Sequence, residues 1–169
     1  MKKIYYIHVL AVLLFLLPAK SKSQSIKPAD FAGSWAIDYS QSSFGNIPHY
    51  AASKNIQYSL SGKYINLKLT MDTPEGIDTV DNKKLAINNN TIDLSEPDKQ
   101  KRNITVKFYN NKLLIKSVAS IPGDTSTVQY QVSEEWSLSG DGKTLSIDRK
   151  VSTPTEPEQY HIIAVYKKD

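Results

Sequence analysis

The 169-residue chain contains no cysteine. That excludes disulfide staples, thiolate metal sites, a thiol nucleophile, thioether-linked haem and a lipid anchor built on cysteine. Histidine is nearly as scarce, with three copies. Neither His49 nor His161 stands beside carboxylates at ligand spacing, so no metal site is expected. Only seven residues are glycine, and none forms a phosphate-cradling loop or a Gly-x-Ser-x-Gly elbow. No catalytic residue is therefore assigned, and no cofactor is expected. Amphipathic helix patterns are missing too, apart from room for one short helical turn in "SSFGNIPHYAAS".

Long hydrophobic runs are also absent. The longest, Ile4 to Leu17, has fourteen residues, short of the roughly 20 that span a bilayer. It follows Lys2-Lys3, ends at Pro18 and leads into the small residues of "AKSKSQS". This is the layout of a secretory signal peptide; an uncleaved anchor is the competing reading. Residues 1–23 are read as the signal, with cleavage within 21–25, residues 24–30 as a short linker, and 31–169 as one domain. Cutting there removes four lysines and leaves 17 basic against 17 acidic residues, a formally neutral product. Charge therefore offers no footprint for nucleic acid. A soluble exported protein, periplasmic or secreted, with no membrane anchor after processing, is expected.

What the chain does have is a repeated phrase: an alternating strand, two turn residues and another alternating strand. "IQYSLSGKYINLKL", "KLAINNNTIDL", "ITVKFYNNKLLIKS" and "EEWSLSGDGKTLSIDRK" are its four copies. Gly and Asn supply the positive φ of tight hairpin turns. Turns at Gly62-Lys63, Asn89-Asn90, Asn110-Asn111 and Asp141-Gly142 place Leu60 opposite Ile65, Ile87 opposite Ile92, Phe108 opposite Leu113, and Trp136 opposite Ile147. Every register gathers the apolar residues on one face, which a slip of one residue would scramble. Trp35, Ile37 and Tyr39 alternate in a first strand, and "QYHIIAVYKK" forms the last. Proline-bearing breakers separate the hairpins. One of them, "DTPEGIDTVD", lacks the ligand positions of a calcium loop and reads as a solvated turn carrying Asp72, Glu75, Asp78 and Asp81. The fold class is all-β: an up-and-down antiparallel meander of about ten strands. Closure into a barrel abolishes exposed edges; a two-sheet sandwich has the same periodicity.

"DFAGSWAIDYSQSSFG" resembles the opening of the calycins, the lipocalin and fatty-acid-binding-protein superfamily. Its Gly-x-Trp is matched by Gly33 and Trp35. The resemblance implies a barrel whose end is plugged by Trp35. The rest, above all "EEWSLSGDGKTLSIDRKV", is similar to small exported lipocalin-like domains of uncharacterised function common in bacteria, notably Bacteroidetes. Two features depart from the fatty-acid-binding pattern. The segment Ser40 to Ser53 is too short for two lid helices. On the last strand Tyr166 is kept, but Ala164 stands where the ligand-gripping arginine is expected.

The apolar beat of "EEWSLSGDGKTLSIDRK" continues onto Glu134 at one end and Arg149 at the other. The turn register sets these two opposite each other, on the face of Trp136 and Ile147, and a four-residue turn gives the same pairing. A lone charge there is costly, whereas a hydrogen-bonded pair is tolerated. Two readings stand: an ion pair that fixes the hairpin register, or a polar seat that orients a ligand head group. A bulge at Glu134-Glu135 turns Glu134 outward and removes both. The ligand-lining candidates are Arg149, Glu134, Trp136, Tyr58, Phe108 and Tyr130. The preferred function is a binding module for a small hydrophobic or amphipathic ligand. A packed structural or interaction β-domain of the cell envelope and a barrel isomerase or cyclase using Glu134 are the alternatives.

Overall fold

The computed structural model describes residues 25–88, 91–93, 101–122, 127–154 and 160–169. The expected signal peptide and the Asn89-Asn90 turn lie outside them. Ten strands follow one another: β1 (Gly33–Ile37), β2 (Ser53–Ser61), β3 (Tyr64–Met71), β4 (Thr79–Ala86), β5 (Thr91–Asp93), β6 (Lys101–Tyr109), β7 (Lys112–Pro122), β8 (Thr127–Leu138), β9 (Thr144–Ser152) and β10 (Tyr160–Lys168). They form one sheet in the order β4-β3-β2-β1-β10-β9-β8-β7-β6-β5. The first strand pairs with the last, so the meander curls into a nearly closed barrel rather than splitting into two sheets.

Three of the four expected registers are realised pair by pair: Leu60–Ile65 and Tyr58–Leu67, Phe108–Leu113 and Val106–Ile115, and Trp136–Ile147 with Glu134–Arg149. The turn residues explain them. Asn110 and Asn111 sit at φ 50° and 62°, Gly62 at 57° and Gly142 at 68°, the left-handed values that match a hairpin's twist. The fourth register is not formed. β5 pairs only with β6, and Ile87 makes an isolated parallel bridge to Val106 instead of facing Ile92. The seam of the barrel therefore lies between β4 and β6. β8 runs through Glu134-Glu135 with no bulge, pairing both in step with Arg149 and Asp148.

The turns at 62–63, 110–111 and 140–143 share one end of the barrel, and that end is plugged. Trp35 and Phe31 are fully buried there, with Tyr58, Ile65, Val106, Leu113, Leu145 and Tyr166 around them. Each large apolar side chain so buried contributes roughly 2–3 kcal/mol of transfer free energy. The Trp35 indole donates to the Phe31 carbonyl (2.9 Å), so the buried N–H is satisfied. Part of the expected linker is folded: Pro28–Phe31 form a 3-10 turn that swings Phe31 under the barrel. Gly33 adopts φ +139°, and a Cβ there would come within 2.8 Å of the Lys168 side chain. Lys168 needs that space, since its ammonium lies over the Trp35 ring at 5.1 Å.

At the opposite end, called the open end because the described residues leave the cavity uncovered there, the chain passes from β1 to β2 without a helical lid. Tyr39 is not on the first strand, as the alternation predicted. β1 ends at Ile37 because the Asp38 carboxylate accepts from the Ser40 amide (3.1 Å) and hydroxyl (2.5 Å), folding a turn that exposes Tyr39. The segment then runs back along β10 through Ser43–Ile163 hydrogen bonds of 2.8 and 2.9 Å. It reaches a second short 3-10 turn, His49–Ala51. Among the described residues no helix is long and apolar enough to cross a membrane.

Candidate functional site

A cavity of about 300 Å³ occupies the half of the barrel toward the open end. Its apolar wall includes Ile56, Leu67, Leu69, Leu85, Ile104 and Ile115, which face inward by the period-two alternation of β2, β3, β4, β6 and β7. Trp136 from β8 and Ile147 from β9 complete it.

Glu134 and Arg149 line this cavity, one step nearer the open end than Trp136 and Ile147 on their strands. The Arg149 Nε donates to Glu134 Oε1 at 2.7 Å and Nη2 lies 2.5 Å from the same oxygen. Glu134 Oε2 accepts from the Trp136 indole at 2.9 Å. Burial alone would push the Glu134 carboxyl up. The Arg149 guanidinium, the Trp136 hydrogen bond and the charge of Lys83 outweigh it and hold the group below the usual carboxylate value. The Glu134 charge in turn raises Arg149 against the pull of burial. Arg149 also reaches out of the cavity: Nη1 donates to the Ala51 carbonyl at 2.6 Å. One side chain thus joins the interior ion pair to the 3-10 turn at the open end. A carboxylate with both oxygens engaged and a lowered pKa is poorly suited to the acid–base role of an isomerase, which needs a group poised near neutral pH.

Of the other candidates, Trp136 lines the cavity, while Tyr58, Phe108 and Tyr130 do not. Tyr58 and Phe108 belong to the plug, their rings 6.1 and 6.3 Å from Phe31. Their inward phase was right, but Phe31 fills the space below the barrel and turns both into packing residues. The Tyr58 hydroxyl is buried without a hydrogen-bond partner, and burial raises its pKa. Tyr130 shares the inward face of β8, beyond Val132 toward the open end. Gly33 and Trp35 sit at the plugged end, as the Gly-x-Trp resemblance implied.

The structure adds charged residues that the sequence reading passed over. Asp81 and Lys83 of β4 and Arg102 of β6 line the cavity, together with Ser53, Ser117 and Tyr166. Lys83 and Asp81 pair at 3.0 Å. Asp81 had been assigned to a solvated turn; it lies instead on β4 opposite Leu69, where the strand has already begun. The signal was the one that found Glu134. Counting back by twos from Leu85 gives Lys83 and Asp81, and from Val106 and Ile104 it gives Arg102. Among the described residues no three His, Asp or Glu side chains are grouped to hold a metal ion.

No protein-family model matches the chain, and no curated protein does either. Solved structures do. A secretary abundant heat soluble protein from Ramazzottius varieornatus aligns with a TM-score of 0.56 at 12% identity, covering 86% of this chain and all of its own. The wild-type fluorescent protein UnaG aligns with a TM-score of 0.50 at 14% identity, covering 82% of this chain and 97% of its own. At such identities the likeness is one of fold. Chain order, closure of β1 on β10 and these neighbours together establish an up-and-down β-barrel of the fold that the Gly-x-Trp resemblance implied.

Proposed function

We propose that this protein is an exported barrel that holds one small hydrophobic or amphipathic molecule in its interior. The observation that supports the reading best is the cavity of about 300 Å³, apolar over most of its wall and edged by charged side chains. That volume lies at the lower end of the range of small-molecule sites, which pair an apolar lining with a few placed polar groups. A packed domain with no ligand predicts an interior filled by large side chains. This describes the plugged end around Trp35 and Phe31 but not the open half. Export is part of the proposal and rests on the layout of residues 1–23.

The test is titration of the purified protein with a fluorescent apolar probe such as anilinonaphthalene sulfonate, followed by competition with alkyl amphiphiles. Trp136, whose indole borders the cavity and bonds Glu134, provides an intrinsic reporter. Saturable, competable one-to-one binding with a change in tryptophan emission is expected. Absence of binding by any probe, with a folded protein that carries nothing in native mass spectra, refutes the reading.

A further inference from the structure

The interior holds its charged residues as an arc one layer above an apolar floor of Leu85, Ile104, Trp136 and Ile147. The outward face of the first four strands is built differently. Side chains that point away from the cavity line up in rows across the strands: Ser34, Gln57, Lys68 and Asn82 in one, Ser59, Asn66 and Lys84 in the next. A surface groove of about 630 Å³ runs over them, bordered by their inward-facing chain neighbours Tyr58, Leu67 and Lys83. The small side chains of Ser34 and Ser59, and the missing one of Gly33, leave the space. Two properties set this groove apart from an ordinary solvated strand face. Among the described residues no carboxylate lines it, whereas the outward face of β7–β9 interleaves Lys112, Lys116 and Lys150 with Glu135 and Asp148. Its polar groups are also unspent. Among the described residues the side chains of Gln57, Asn66, Lys68 and Asn82 make no hydrogen bond or ion pair, and Lys84 engages only the Tyr64 ring, at 4.8 Å.

We infer that this groove is a second binding site, on the outside of the barrel, and that its partner is an acidic polysaccharide. Carboxylates of the sugar chain meet Lys68 and Lys84, and its hydroxyls bond to Gln57, Asn66 and Asn82. A carboxamide donates twice and accepts through its carbonyl, which suits a run of hydroxyls that are each donor and acceptor. Two ammoniums with no counter-charge beside them favour an anion. A peptide partner needs a buried apolar or aromatic anchor, and among the described residues no exposed apolar side chain lines the groove. Nucleic acid needs more cations to neutralise its phosphates and open aromatic faces on which bases stack. The nearest exposed ring, Tyr64, already carries the ammoniums of Lys63 and Lys84. The site is independent of what the interior holds.

Isothermal titration at low salt with short oligogalacturonates, neutral maltooligosaccharides, oligoglutamate and oligodeoxythymidylate tests it. The oligogalacturonates are expected to bind tightest of the four. Lys68→Gln combined with Lys84→Gln should weaken this binding roughly three- to thirtyfold, the worth of two exposed ion pairs, and added salt should erase the difference. Asn66→Ala combined with Asn82→Ala should weaken it at low and high salt alike, because amide hydrogen bonds are not screened. Lys116→Gln combined with Lys150→Gln, the same charge change on the outward face of β7 and β9, should alter it far less. Backbone amide shifts on binding should map to residues 57–59, 66–68 and 82–84 and spare Ile104, Ile115 and Ile147 of the cavity. Tighter binding of oligoglutamate or oligodeoxythymidylate, equal losses from the two lysine pairs, shifts confined to the cavity, or no binding of oligogalacturonates would overturn the inference. Each of these results leaves the ligand-holding reading of the interior intact.

Discussion

Replacing Arg149 by methionine keeps most of the aliphatic volume and deletes the guanidinium. Glu134, whose side chain is 13% exposed, is left with the Trp136 indole as its remaining hydrogen-bond donor, and the Ala51 carbonyl loses its 2.6 Å donor. Removing one member of a fully buried pair costs about 3–5 kcal/mol. Arg149 retains 29% exposure, so water reaches part of the vacated space, and the expected loss falls to about 2–4 kcal/mol. For a domain of this size that lowers Tm by roughly 6–12 °C. The assay is urea unfolding at pH 7 followed by tryptophan fluorescence, run as a cycle with Glu134→Leu and the double variant. The double variant should recover most of the loss, because an apolar pair replaces an uncompensated charge. The pH dependence supplies a second check. In the native protein the depressed Glu134 pKa stabilises the fold above the ordinary carboxyl value of 4.5, and that contribution fades as pH falls through the lowered pKa. In Arg149→Met burial dominates and raises the carboxyl, so acidification protonates Glu134 and relieves the penalty. The gap between the two proteins should narrow from pH 7 toward pH 4. A single-variant cost under about 1 kcal/mol, or strictly additive effects in the cycle, would refute the account of Glu134 as a buried anion dependent on Arg149.

Three further perturbations separate strain, orphaned polarity and misplaced charge. Gly33→Ala should cost about 1–3 kcal/mol because φ is +139°. Adding Lys168→Ala removes the 2.8 Å clash but not the backbone strain, so full rescue in thermal unfolding would contradict the assignment. Tyr58→Phe deletes a buried hydroxyl that has no partner and should be neutral or raise stability by up to about 1–2 kcal/mol; a clear loss would show that the hydroxyl is satisfied. Ala164→Arg restores the arginine that the resemblance led one to expect, at a 3%-exposed position opposite Ile147. With Glu134 already committed to Arg149, the new cation is uncompensated, and a loss of about 3–5 kcal/mol in urea unfolding is expected. Wild-type stability in that variant would mean that the floor is wetter than its lining implies.

How much of this was legible depended on whether local signals and tertiary constraints agreed. Glu134 and Arg149 were found together because Asp141-Gly142 fixes the turn and Trp136, Leu138, Leu145 and Ile147 fix the phase. The β4 charges escaped because "TVDNKKLA" has too few apolar residues to announce its own phase. Val80 faces solvent, and the inward beat appears only at Leu85. The Ile87–Ile92 pairing is not formed for a different reason. β5 is added to β6, and Ile87 finds Val106 rather than Ile92. Tyr58 and Phe108 lie on the expected face but beside Phe31 and outside the cavity lining, since only the three-dimensional path of Pro28–Phe31 reveals what lies beneath them.

The position of the charged lining residues Asp81, Lys83, Arg102, Glu134 and Arg149 follows from desolvation. At the plugged end Trp35 and Phe31 have no solvent exposure, and an ion pair there would bear the full penalty of leaving water, which its mutual attraction often fails to offset. One layer above the floor, Glu134, Arg149, Lys83 and Asp81 keep 13, 29, 26 and 39% of their side-chain surface. Partial hydration at that height lowers the cost of holding charge, while the apolar wall keeps the local dielectric below that of water and the interactions strong. An arginine at position 164 lies at the depth of Ile147 and lacks that hydration. Alanine on β10 and a charged arc drawn from β4, β6, β8 and β9 are thus two sides of one arrangement. A barrel that gives its deepest layers to apolar packing has to place its charged groups higher on other strands.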